Sequence, residues 1–170
     1  MKHLINISFL IVAFFLTSCF KDESDDVSVV INELMPLNST TVADQDGEYD
    51  DWIELYNNSS KTIDLSGYYL SDDKDELTKW VFPSGTEITG KGYLIIWADK
   101  DTLQNGLHAN FRLSADGERV LLTNPKYTVV DKVRFDGQTS ELTYSRIPNG
   151  TGSFSWQYAT FDSENVKTLK

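Results

Sequence analysis

DQDGEYDDWIELYNNSSKTIDLSGYYLSDD, residues 44–73, is the stretch whose reading decides the fold. In Trp52-Ile53-Glu54-Leu55-Tyr56, Ile53 and Leu55 fall on one side of an extended chain and Trp52, Glu54 and Tyr56 on the other. That alternation predicts a half-buried strand. An acidic loop turning at Gly47 leads into it, and Asn57-Asn58-Ser59-Ser60 supplies turn chemistry after it. A second apolar segment, Ile63 to Leu65, follows, and Ser66-Gly67 turns the chain into Tyr68-Tyr69-Leu70.

Upstream, Val27 to Asn32 (VSVVIN) is apolar and β-branched, which predicts the first strand with Asn32-Glu33 at its end. Met35-Pro36 stops it, because proline cannot donate to a ladder. Downstream, the polar run Asp72 to Glu76 leads to Trp80-Val81-Phe82, and Pro83-Ser84-Gly85 turns the chain. Tyr93 to Ala98 (YLIIWA) is the most apolar segment and is predicted to be central in its sheet. A short strand around Leu121 precedes a turn near Asn124-Pro125-Lys126. The next strand should place Val129, Asp131, Val133 and Phe135 on one side, and Phe154 to Tyr158 (FSWQY) should close the sheet. No segment beyond the leader keeps a helical period over three turns.

Composition agrees with an all-β reading. Aromatic residues make up 12% of the 170, with many Tyr and Thr. Once a leader is set aside, one domain is expected, and a domain of roughly 145 residues buries roughly 68–70% of its unfolded surface, enough for its own core. Charge sets a second bound: 26 acidic against 15 basic residues give a net charge of −11, and losing Lys2 with the leader makes it more negative. Such a surface repels phosphate backbones and anionic membranes, so no nucleic-acid partner is expected. Cys19, the single cysteine, leaves no disulfide to staple the fold.

The N-terminus reads as a secretory leader. Lys2 opens it and Leu4 to Leu16 form an apolar stretch shorter than the ~20 residues a spanning helix needs. Leu16-Thr17-Ser18-Cys19 resembles the lipobox of bacterial lipoproteins, which implies acylation of Cys19, palmitate among the chains, and removal of residues 1–18. Two or more acyl chains hold a protein durably on a bilayer. The expected location is therefore the cell envelope, as an outer membrane lipoprotein. Lys21-Asp22-Glu23 resembles a surface-export signal of one group of Gram-negative bacteria; Lys21 to Asp26 reads equally well as a plain polar tether.

Several ordered segments then resemble the lamin tail domain family: Asn32-Glu33, the acidic loop with the WIEL strand, and IDLSG with YYLSDD. Trp80, Phe82-Pro83 with Gly85, and Gly92-Tyr93-Leu94 continue it, followed by Leu107 to Ser114 with Gly117-Glu118. Tyr144 to Gly150 resembles the family's turn, with Ser145 where the family has glycine. Thr160 to Asn165 lacks the proline and glycine of the family's last turn, so that turn is expected to be looser. The resemblance implies an immunoglobulin-like β-sandwich over residues 28–165. A lipidated tether would occupy 19–27 and a tail 166–170.

Candidate sites follow from residue chemistry. Asp44, Asp46, Glu48, Asp50 and Asp51 crowd a glycine turn, and hard cations such as Ca²⁺ take six to eight oxygens. The spacing fails the EF-hand template, because the first and twelfth positions around Gly47 are Val42 and Ile53, so a solvated acidic loop is the competing reading. Asn32, Glu33 and Glu54 suggest a structural carboxylate network, and Glu33, Glu54 and Asp51 could alternatively serve a metal-dependent envelope hydrolase. Tyr68, Tyr69 and Trp97 are candidates for stacking on sugar rings, against the ordinary reading of sandwich aromatics as core. Beyond the leader His108 is the single histidine and has no nucleophile motif beside it. Asp101-Thr102-Leu103 resembles an O-glycosylation acceptor. The functional expectation is a non-catalytic binding or adaptor module with a protein or glycan partner.

Overall fold

The computed structural model describes residues 28–138 and 141–169, so the leader, Cys19 and the tether through Val27 lie outside the described residues. The described strands are β1 (Val29–Met35), β2 (Trp52–Asn57), β3 (Ile63–Asp64), β4 (Tyr69–Ser71), β5 (Trp80–Val81), β6 (Glu87–Ile88), β7 (Tyr93–Ala98), β8 (His108–Ala109), β9 (Gly117–Thr123), β10 (Val129–Asp136), β11 (Thr143–Ile147) and β12 (Ser153–Gln157). Among the described residues there is no helix. A six-stranded sheet runs β12-β11-β1-β2-β7-β8 and a four-stranded sheet β10-β9-β4-β5, with β3 and β6 forming a small third pair. The fold is the all-β sandwich of immunoglobulin-like type that the family resemblance implied, built from strands that the alternating segments predicted.

Its core lies between the two larger sheets. Ile31, Leu34, Ile53, Leu55 and Ile96 from one meet Leu70, Trp80, Val120, Leu122, Val133 and Phe135 from the other. Each large apolar side chain buried there contributes about 1.5–3 kcal/mol. The split across β2 is the one read from sequence, with Ile53 and Leu55 in this core and Trp52 on the opposite face, but the strand is not half-buried: Trp52 and Glu54 are covered as fully as Ile53 and Leu55. There Met35, Trp52 and Trp97 build a second cluster with Ile95 and Phe161.

Three local expectations are corrected. β1 runs three residues past Asn32, and a bulge between Ile31 and Glu33 is what lets both Ile31 and Leu34 face the core. β7 is fifth of six in its sheet, flanked by β2 and the two-residue β8. It is apolar because both of its faces are covered, Ile96 and Ala98 on one side and Trp97 on the other. In β10 a register shift between Val129 and Asp131 puts Val130, not Val129, against the core.

Candidate functional site

The bulge at Asn32 is where the chain's polar chemistry collects. Asn32 Nδ2 donates to Glu54 Oε1 at 3.0 Å, and the Asn32 side-chain oxygen accepts from Gly150 N at 3.1 Å. Gly150 has φ +72°, and a Cβ there would lie 1.9 Å from Asn58 Oδ1, so the close approach requires glycine. Glu33 and Glu54 are register partners on β1 and β2, and both are fully buried.

Their donors come from the end of the chain. Glu33 accepts from Ser145 Oγ (3.1 Å), Thr160 N (3.1 Å) and Thr160 Oγ1 (2.8 Å). Glu54 Oε2 accepts from Asp162 N at 2.9 Å. Asn165 Nδ2 donates to the carbonyls of Asn32 and Arg146, each at 3.0 Å, while Asn165 N donates to Asn149 Oδ1 at 2.8 Å. Phe161 inserts beside Trp52 and Trp97, with ring centroids 5.2 and 5.8 Å away. Residues 160–165 therefore lie across the outer face of the six-stranded sheet, pinned by hydrogen bonds and an aromatic wedge. The turn expected to be loose is held tightly. Thr160 and Asn165 match the threonine and asparagine of the family's last turn; Phe161 carries no local signal of its role.

Burial acts on both carboxyls. It pushes the Glu54 carboxyl up to about 8, reinforced by Glu33 alongside and opposed by Asn32, and it also raises Glu33. Burial raises Asp51 to about 6, against hydrogen bonds from the backbone of Leu113 and Asn38. Asp51 is three residues from Glu54 along the chain, roughly 10 Å in extended geometry. A hydrolase built on Glu33, Glu54 and Asp51 would thus have two carboxyls under a covering segment and a third turned to other partners.

The acidic loop divides. Ligand oxygens of Asp44, Glu48 and Asp50 lie within 4.8 Å of one another, and Asp44 forms a second such group with Asp99 and His108; Asp46 and Asp51 belong to neither. Asp44 Oδ1 accepts from the backbone N–H of Asp46 and Glu48, both at 2.9 Å, which shapes the turn. Asp44 Oδ2, Asp50 Oδ2 and Gln104 Oε1 are buried without a hydrogen-bond partner, and Gln104 Nε2 donates to Glu48 Oε2 at 3.0 Å. Burial, then the charges of Asp99, Glu48 and Asp44, raises Asp50. Three carboxylates and an amide oxygen match the oxygen chemistry of Ca²⁺. His108 is a different case: it is buried, with Nδ1 2.5 Å from Asp99 Oδ2. The nine-residue separation of that pair gave no motif to read.

The aromatic candidates do not form one platform. Trp97 is buried with 7% exposure and covered by Phe161, so it cannot stack on a sugar. Tyr68 packs against the main core. Tyr69 alone of the three lies toward an open surface, stacked on Tyr127 with centroids 6.0 Å apart. Thr102 and Leu103, in the segment resembling a glycosylation acceptor, are exposed.

Comparison with known proteins adds one match. The family description Lamin Tail Domain fits residues 23–137, which contain the acidic loop, Asn32, Glu33 and Glu54. No curated protein matches the chain.

Proposed function

This chain belongs to the lamin tail domain family, and from that premise we propose that it is a non-catalytic binding module, held on the cell envelope by lipid at Cys19, that engages a protein or glycan partner. One observation carries the reading: the carboxyl pair best suited to chemistry, Glu33 and Glu54, is fully buried and occupied by donors from residues 160–165. Buried carboxyls whose oxygens are occupied by donors brace a fold; a general acid or base needs contact with substrate or water.

The anchor is the part of the proposal that lies on Cys19. Labelled palmitate is expected to enter the protein in living cells and to be absent from Cys19→Ala, with the leader retained in that variant. Wild-type protein that takes up no label would remove the anchor. Protease shaving of intact cells then distinguishes the two leaflets, with degradation expected for surface display. A cross-linked pull-down from envelopes with Cys19 intact identifies what the module holds, and turnover of an envelope polymer that disappears in Glu54→Ala, with folding preserved, would overturn the non-catalytic reading.

Calcium belongs to the same proposal. Asp44, Glu48 and Asp50 would hold it, with Gln104 supplying an amide oxygen, and the three partnerless buried oxygens support the assignment. An ion that binds only the folded state raises apparent stability. Millimolar calcium is expected to raise the melting temperature by several degrees relative to chelator, and Asp44→Asn to abolish the difference. Superimposed wild-type curves would exclude the ion.

A further inference from the structure

We propose that the outer face of the β9–β10 hairpin binds an acidic glycan; the inference rests on the binding-module reading and names its ligand chemistry. Residues facing away from the core on β9 are Arg119, Leu121 and Thr123, since Val120 and Leu122 face inward; Leu121 and Thr123 are themselves covered, which leaves Arg119 as the accessible one. On β10 they are Lys132, Arg134 and Asp136, since Val133 and Phe135 face inward. The register sets Arg134 opposite Arg119 and Lys132 opposite Leu121. Three cations thus gather on one face of a chain whose net charge is −11.

Two of the acids on these strands, Glu118 and Asp131, are engaged elsewhere, whereas Asp136 shares the outer face beside Arg134. Glu118 opposes Phe135 and accepts from Ser114 N at 2.8 Å. Asp131 accepts from Ile31 N at 2.8 Å and Arg146 Nη2 at 2.9 Å, which spends its charge at the joint between the sheets. Asp136 closes one end of the row. Among the described residues neither Arg119, Lys132 nor Arg134 has an ion-pair partner. Two arginines directly across a strand pair repel each other. An anion seated between them relieves that repulsion, and the planar guanidinium groups offer the paired donors that a carboxylate or phosphate accepts. Arg119, Lys132, Val133 and Arg134 line a shallow concavity of about 320 Å³ at this place.

A sugar is favoured over an acidic peptide by what adjoins the cations. Tyr69 pairs in register with Thr123, two residues along β9 from Leu121, and Tyr127, a residue 65% exposed, stacks on Tyr69. From Thr123 to Arg119 the strand advances roughly 13 Å. An aromatic face at one end and an arginine pair at the other would bind the apolar face of a pyranose and the acidic group of a neighbouring residue on the same polymer.

The test measures retention of the purified full chain in affinity electrophoresis through alginate, dextran and poly-glutamate, with a DNA duplex as competitor. Alginate is expected to retard the wild type, dextran not, and raising salt from 50 to 200 mM to weaken the effect. Arg119→Glu with Arg134→Glu should weaken alginate binding at least tenfold while leaving the melting curve in place, and Tyr127→Ala should weaken it several-fold with no effect on poly-glutamate. Preference for poly-glutamate, competition by DNA equal to alginate, or binding unchanged in the double variant would each overturn the glycan assignment. The wider reading fails separately: a cross-linked partner still captured by the double variant leaves the module in place without this face, whereas a wild type that captures nothing removes both.

Discussion

Asn165→Ala is expected to lower the melting temperature by about 10 °C. The side chain is 3% exposed and its amide satisfies two carbonyls, Asn32 O at the bulge and Arg146 O on β11. Each buried acceptor left without a donor costs about 1–3 kcal/mol, and a domain of this size loses roughly 2–5 °C per kcal/mol. The loss also removes an acceptor of the Thr160 hydroxyl, 2.7 Å from Asn165 Oδ1, and loosens the seating of residues 160–165 over Glu33 and Glu54. Differential scanning calorimetry reads the shift directly. A change under 2 °C would mean that the covering segment is a passive tail. Limited proteolysis adds a local readout, since cleavage after Phe161 should accelerate in the variant well below its melting temperature.

The protein is also expected to be most stable on the acid side of neutrality, melting about 10 °C higher at pH 5 than at pH 8.5. Burial lifts Glu54 to about 8, Glu118 to about 7 and Asp51 to about 6, and it raises Glu33 as well. Carboxyls of the unfolded chain titrate near 4. Between those values the folded protein holds more protons than the unfolded one, so stability falls as pH rises. The contribution is fully present below about pH 4 and is lost as pH passes upward through 6, 7 and 8. For Glu54 alone the effect is on the order of a few kcal/mol, since one pH unit of displacement corresponds to about 1.4 kcal/mol. General repulsion among surface acids has the same sign. Glu54→Gln separates the two: it should remove roughly a third of the wild-type difference, while the exposed Glu76→Gln leaves it unchanged. A Glu54→Gln slope equal to wild type would place the titration elsewhere.

The sandwich was readable because its strands alternate in chemistry with a period of two: in β2, Ile53 and Leu55 enter the main core while Trp52 and Glu54 take the other face, itself buried. The reading weakened wherever both faces are covered. YLIIWA looked central on apolarity alone, yet its second apolar face meets Phe161, a residue 64 positions beyond Trp97 that no local pattern couples to it. Bulges were a second blind spot: an inserted residue changes the phase without changing composition, which is why the inward position in β10 was assigned to Val129 instead of Val130. Asn32, Glu33 and Glu54 could be named as a network from the sequence, but Thr160, Asp162 and Asn165 as their donors could not, since hydrogen bonds across more than a hundred residues leave no spacing to recognise. The cationic face was hidden for a related reason, with Arg119 and the pair Lys132 and Arg134 brought together only by strand register.

The placement of residues 160–165 has a consequence for biosynthesis. Glu33, on the first strand to be made, receives its backbone donor from a residue 127 positions later. A ribosome adding about 5–20 residues per second leaves that carboxyl waiting for many seconds, long after β2 and β7 have been polymerised. Chains lacking residues 160–165 should therefore remain open to chaperones and proteases, and the arrival of that segment is what lets the domain close.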